Sequence, residues 1–130
     1  MDSRTLEVLT LRFTPGLGNR RVSTLLREGL AAELLSNPGR FKDQLNADSS
    51  AALLDGTARR KAQAVAADVE RHGQRLICLG DASYPKALAA LYDPPPVLFA
   101  RGAPGSDKQR VAIVGARAST AYGRTFARDL

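Results

Sequence analysis

The residues best suited to chemistry lie in one loop near the end of the chain, residues 115–123. The loop follows the apolar run 111–114. Arg117 offers a planar fork of donors that matches phosphate oxygens. Hydroxyl groups in the same loop come from Ser119, Thr120 and Tyr122. The composition of the loop predicts a phosphate site and indicates no particular base. The alternative for Arg117 is a structural one, in which it ties the loop to a carboxylate.

The elements around this loop are predicted to be a strand and a helix. Residues 111–114 are a short apolar run that stops at Gly115, which favours a buried strand of a parallel sheet. A helical pattern begins near residues 123 and 124. Ligands of such sheets bind at the carboxyl ends of the strands, where helix N-termini attract anions. A dinucleotide fingerprint is not favoured, because Arg117 stands where that motif needs its second glycine.

A second candidate site lies near the beginning of the chain, in the segment 14–19, Thr-Pro-Gly-Leu-Gly-Asn. Its two glycines allow a tight turn with positive φ, and Asn19 is predicted to cap a helix that ends at Gly29. This pattern between two short helices resembles the helix-hairpin-helix module, which grips nucleic-acid phosphates through backbone groups. Many such modules only pack against their neighbours, so both roles stay open. The candidate DNA-binding residues are Gly16, Gly18, Arg20 and Arg21.

The spacing of apolar residues predicts about five short helices over residues 4–73. Asp48 is expected to cap a helix over 49–54, and the clearest helix is expected over 58–71. The predicted interior consists of Leu17, Val22, Leu25, Leu53, Val65 and Val69. Two strand-like runs follow the helices, at 76–79 and 97–100. The chain as a whole is therefore predicted to belong to the α/β class. The expected domains are an all-α domain at 1–75 and a second domain at 76–130.

Composition limits the remaining function classes. The formal net charge is +6, and the last thirty residues carry six basic and two acidic side chains, which fits an anionic partner. The single cysteine, Cys78, is expected to be a core thiol, and the single histidine, His72, has no partners for a metal site. We predict no cofactor, no metal and no catalytic residue. The lack of a leader peptide or long apolar run predicts a cytoplasmic protein without membrane contact.

Two ordered motifs in the second half carry a family resemblance. They are D-x-x-YP-x-x-L-x-x-L-x-D-PP-x-VLF-x-x-G over residues 81–102 and VAIVGAR-x-S-x-x-YG over residues 111–123. The sequence is similar to the DNA-processing protein A family (DprA, also called Smf), and the similarity extends from the N-terminal helices to the last residue. The resemblance implies a sterile-alpha-motif-like helical domain followed by an extended Rossmann-like parallel sheet that binds single-stranded DNA. It also implies protection of incoming strands in natural transformation and loading of the recombinase RecA.

The resemblance assigns roles to residues of the loop. Gly115, Ala116 and Arg117 match the family's Gly-Ser/Ala-Arg signature, in which the arginine contacts a DNA phosphate. The rest of the loop is matched by Ser119, Tyr122 and Gly123. Ala116 replaces the usual serine, which removes one hydroxyl group from the site. The implied partners are single-stranded DNA, RecA and, in a full-length protein, a second copy of the chain. The sheet is expected to be truncated, with the RecA-binding and dimer surfaces beyond residue 130.

Two other function classes stay open from the sequence. One is an enzyme of similar topology that holds a nucleoside phosphate in the loop 115–123. It is less favoured, because the 130 residues contain no evident base, nucleophile or metal cluster. The other treats residues 1–75 as a helical protein-interaction module.

Overall fold

The structure is a computed structural model that describes residues 2–102 and 113–129. The helices are α1 (Ser3–Phe13), α2 (Asn19–Arg27), α3 (Ala31–Ser36), α4 (Ala47–Leu54), α5 (Thr57–Arg71), α6 (Lys86–Ala89) and α7 (Ala121–Asp129), with a 3-10 helix at Pro38–Phe41. The strands are β1 (Arg75–Cys78) and β2 (Val97–Ala100). The five predicted N-terminal helices correspond to α1–α5. Across both described ranges, no helix is long and apolar enough to cross a membrane.

Apolar side chains at helical spacing form the core of α1–α5. Leu11, Val22 and Leu34 are completely buried in one cluster, where Phe41 closes the side formed by the 3-10 helix. Of the six residues predicted to be inside, four are buried: Leu17, Val22, Leu25 and Val69. The other two, Leu53 and Val65, are half-buried, because each lies at the margin of its helix's apolar face.

The two strands pair in an antiparallel sheet, with Arg75 opposite Ala100 and Cys78 opposite Val97. The α/β class is therefore present in the described residues as a mostly helical chain with a small sheet, without the expected parallel arrangement. The chain leaves β1 through a turn and the short α6 and then runs back beside it. A parallel arrangement would need a long crossover, usually a helix, to return the chain to the other end of the sheet. Residues 79–96, which connect the two strands, contain no long helix.

The strand predicted at 111–114 is not present in the two of its residues that the structure describes. Val111 and Ala112 lie outside the described residues. Ile113 and Val114 have no strand conformation and are 57% and 91% exposed. An isolated strand leaves its backbone donors and acceptors unpaired, so apolar character alone does not make these two residues a buried strand.

Two helix caps also differ from the prediction. Gly18, with φ −73° and ψ 162°, is the N-cap of α2, and Asn19 is the first residue of that helix. In α4 the cap is Asn46, whose Oδ1 accepts a hydrogen bond from the backbone N of Ser49 at 2.7 Å. Asp48 lies inside the first turn instead. The helix begins at Ala47, two residues earlier than predicted, so Asn46 occupies the capping position that was expected for Asp48.

The helices and the sheet share one core. Val8 and Leu9 of α1 pack in a cluster with Ala62 of α5, Cys78 of β1 and Val97 of β2. The domain boundary between residues 75 and 76 stays a prediction. It falls at the start of β1, which contacts both α1 and α5.

Each carbonyl of the three consecutive prolines, Pro94, Pro95 and Pro96, accepts a hydrogen bond. The carbonyl of Pro94 accepts from Ser23 Oγ on α2 at 3.1 Å, and that of Pro96 accepts from the backbone N of Leu79 at 2.9 Å. The carbonyl of Pro95 accepts from the hydroxyl of Tyr84 at 2.6 Å. Proline has no N–H group but keeps its acceptor, so these carbonyls can join the segment to its surroundings without a strand ladder. The segment therefore connects α2 to the sheet rigidly.

Asp81 provides a second connection of the same kind. Its Oδ1 accepts from Nη1 of Arg4 at 2.8 Å, and its Oδ2 accepts from the backbone N of Cys78 at 2.7 Å. A second nitrogen of Arg4 donates to the carbonyl of Leu79 at 3.0 Å. Asp81 and Arg4 thus join α1 to the turn that follows β1.

Candidate nucleic-acid interface

The loop that precedes α7 is organised by local hydrogen bonds. Thr120 Oγ1 accepts from the backbone N of Gly123 at 3.1 Å, in the manner of a helix N-cap. Nη1 of Arg124 donates to the carbonyl of Ser119 at 2.6 Å. These bonds explain why the helix begins at Ala121, two residues before the predicted start.

Arg117 lies in the middle of this loop and is exposed. Within the described ranges it has no ion pair or hydrogen bond, so the structural alternative, a tie to a carboxylate, has no support there. The ring of Tyr122 is 78% exposed and stacks on that of Phe126, with 6.2 Å between centroids. An exposed cation and an accessible aromatic pair therefore lie within ten residues of each other.

The whole segment 113–129 is exposed apart from Ala127, which is half-buried. All six predicted site residues of the loop lie in it: Gly115, Ala116, Arg117, Ser119, Tyr122 and Gly123. The segment brings them together through sequence proximity and one helix cap. Its basic side chains on α7 are Arg124 and Arg128, against one acidic residue, Asp129.

The N-terminal hairpin is a more rigid structure. Gly16 has φ +76°, as predicted for a tight turn, whereas Gly18 does not have positive φ. A Cβ atom on Gly16 would lie 2.3 Å from Nδ2 of Asn46, and Ser49 Oγ donates to the carbonyl of Pro15. The turn is thus packed tightly against the N-terminus of α4.

The two arginines of the hairpin side extend from the first turn of α2. Nη2 of Arg21 donates to Oε1 of Gln44 at 2.7 Å. The guanidinium of Arg20 lies 4.7 Å from the centroid of the Tyr92 ring. Both arginines line an open cavity of about 520 Å³, together with Gly18, Thr24, Leu25, Glu28 and Gln44.

Two contributors to these surfaces were not identified as site residues from the sequence: Tyr92 and Gln44. Tyr92 belongs to the 81–102 motif, but nothing in that motif indicates that Tyr92 meets Arg20, which lies far away in the chain. Nothing in the sequence indicates that Gln44 contributes to a site, because it is a single polar residue in a loop. Contacts of this range depend on how the elements pack.

Burial changes the acidity of two side chains. Loss of solvent raises the pKa of the Cys78 thiol above its usual range, and the buried ring of Tyr84 likewise has a raised pKa. Cys78 is 1% exposed, as expected for a core thiol, and stays protonated at neutral pH. In residues 2–102 and 113–129 no group of three or more acidic, histidine or cysteine side chains could hold a metal ion.

Comparison with known proteins gives one match. Residues 75–130 match the family model of DNA recombination-mediator protein A. No curated protein and no solved structure matches the chain. The matched part contains β1, the anchored proline segment, β2, the loop 115–123 and α7. The family resemblance inferred from the two motifs is therefore confirmed over residues 75–130, the part of the chain that is similar to the DNA recombination-mediator protein A family.

Proposed function

We propose that this protein binds single-stranded DNA through its phosphates, with the loop 115–123 as the main contact. The observation that carries the proposal is the family match over residues 75–130, which includes this loop. The exposure of Arg117 supports it, since its guanidinium is available to an anion. Ser119, Tyr122 and the backbone around Gly115, Ala116 and Gly123 complete the proposed contact.

A second phosphate contact is proposed at the hairpin. Arg20 and Arg21 face neutral partners, a ring and an amide, so neither charge is neutralised by the partner it touches. Gly16 and Gly18 shape the turn that leads into α2. Arg4, Arg40 and Arg71 differ, because each forms an ion pair with a carboxylate.

The family match over residues 75–130 supports a role in DNA recombination and DNA processing. We further propose that it protects incoming single strands during natural transformation, helps to load RecA and acts as a homodimer. It is proposed to do so by binding, without a chemical step of its own. The described residues offer no metal cluster, and the buried thiol of Cys78 is held in its protonated form.

The test is a titration of the 130-residue chain with a fluorescent oligothymidylate at several salt concentrations. Arg117→Ala should weaken binding, and the slope of log affinity against log salt should fall by about 0.7, the value for one phosphate contact to a single strand. Arg117→Lys should restore the slope but only part of the affinity, because an ammonium group cannot form the bidentate contact.

The matched control is Arg71→Ala, which removes an exposed arginine whose Nη1 lies 3.4 Å from Asp68. It should leave affinity and slope close to those of the parent chain. Equal losses in the Arg117 and Arg71 variants would indicate a general charge effect and contradict the assignment of the loop. Competition by a free nucleoside phosphate, with no binding of the oligonucleotide, would favour the nucleotide-binding alternative.

A further inference from the structure

Beside the hairpin, an exposed aromatic ring and two arginines come together from distant parts of the chain. Tyr92 is 78% exposed, although the guanidinium of Arg20 lies over its ring at 4.7 Å. Arg21 lies next to Arg20 in the first turn of α2 and borders the same cavity of about 520 Å³. This combination of an accessible ring and uncompensated cations is typical of surfaces that hold single strands.

The position of Tyr92 is determined by its neighbours in the chain. Pro94, two residues later, is completely buried, and its carbonyl accepts from Ser23 Oγ on α2, the helix that carries Arg20. The backbone next to Tyr92 is therefore joined directly to that helix. The cation–π contact orients the ring as well, so less side-chain entropy is lost when a ligand stacks on it.

The charges around the ring of Tyr92 favour contact with the phosphates of a DNA strand. Arg20 and Arg21 have neutral partners. Glu28 also lines the cavity, and Asp93 follows Tyr92 in the chain. A strand would therefore contact the side of the cavity formed by Arg20 and Arg21.

We propose that Tyr92 is a stacking platform for a base of single-stranded DNA, with Arg20 and Arg21 binding the adjacent phosphates. This inference rests on the proposed single-stranded DNA binding and adds a base contact outside the loop 115–123. A duplex keeps its bases stacked on each other, so the platform gives preference for single strands, which phosphate contacts alone do not provide.

The experiment compares two ligands of equal length, an oligothymidylate and an abasic oligonucleotide with the same number of phosphates. Tyr92→Ala should weaken binding of the oligothymidylate about fivefold or more and leave binding of the abasic ligand unchanged. Tyr92→Phe should bind both ligands like the parent chain, because a phenyl ring stacks as well. Melting temperatures of both variants should match that of the parent, since the ring is exposed.

Three outcomes would overturn the inference. Unchanged oligothymidylate binding by Tyr92→Ala removes the platform, and equal losses for both ligands make Tyr92 a support for Arg20 instead. Loss of binding in Tyr92→Phe as well would assign the effect to the hydroxyl group.

The same measurements separate this inference from the proposed function. A parent chain that binds neither ligand overturns both. Binding that depends on Arg117 but not on Tyr92 overturns the platform alone, and binding that depends on Tyr92 but not on Arg117 overturns the role of the loop alone.

Discussion

The helices and sheet of residues 2–102 and the segment 113–129 use their polar side chains in opposite ways. In the first region, Arg4, Ser23 and Tyr84 each donate to a backbone carbonyl of another element. In the second, the described hydrogen bonds join residues of the same short stretch, such as Arg124 to Ser119. Polar groups used for packing are no longer available to a ligand, whereas the exposed side chain of Arg117 in the second region makes no such bond within the described residues.

The two regions also differ in what their apolar residues do. Leu11, Val22 and Leu34 are completely buried, while Val114, Tyr122 and Phe126 are exposed. Burial stabilises the first group by about 25 cal/mol for each Å² of apolar surface removed from water. The second group gains much less within its own segment, where Tyr122 and Phe126 contact mainly each other. The fold of residues 2–102 should therefore be sensitive to single changes that residues 113–129 tolerate.

The largest effect is expected from a matched pair of apolar truncations. Leu25→Ala should lower the free energy of unfolding by about 2–4 kcal/mol, because Leu25 is 3% exposed and its loss leaves a cavity. Val114→Ala should change it by less than about 0.5 kcal/mol, because Val114 is 91% exposed. Urea denaturation measures both. Similar losses in the two variants would mean that residues 113–129 are packed as tightly as the core.

Two glycine substitutions in the hairpin provide a second matched pair of variants. Gly16→Ala should cost about 1–3 kcal/mol, because the residue has φ +76° and a Cβ would collide with Asn46, the cap of α4. Gly18→Ala should cost less than about 1 kcal/mol, since its φ of −73° is ordinary and nothing lies within 4 Å of the added carbon. Thermal melts of both variants test this difference. Equal costs would contradict the tight contact between the turn and α4.

The smallest expected effect concerns Tyr84, and it depends on pH. Tyr84→Phe removes the hydrogen bond to the carbonyl of Pro95 and should cost about 1 kcal/mol at neutral pH. Burial raises the pKa of Tyr84 above its usual 10.0, so the unfolded chain releases this proton more readily than the folded chain. The contribution of Tyr84 is fully present below pH 10 and is lost as the pH rises further.

The difference in stability between parent and Tyr84→Phe should therefore narrow above pH 10. Denaturation at neutral and at alkaline pH measures it. Tyr92→Phe, at an exposed ring, is the control and should show no difference at either pH. A constant difference for Tyr84→Phe would mean that its phenol is not desolvated in the fold.

Local patterns were sufficient for several elements. Helical spacing predicted α2, α4 and α5 to within two residues, and apolar runs predicted β1 and β2 to within one. The turn at Gly16 was also predictable, because positive φ is a property of glycine itself. The two motifs identified the family over residues 75–130. These features depend on neighbouring residues or on residue type, so the sequence by itself determined them.

Other features were decided by tertiary structure. Whether Asn46 or Asp48 caps α4, and whether β1 and β2 run antiparallel, depends on how the elements meet in space. Tertiary structure also decided the hydrogen bonds to the three proline carbonyls and the contact between Arg20 and the ring of Tyr92. Ile113 and Val114 show the converse case, in which a strand-like pattern has no pairing partner. Contacts between residues far apart in the chain follow from packing geometry, which no local pattern encodes.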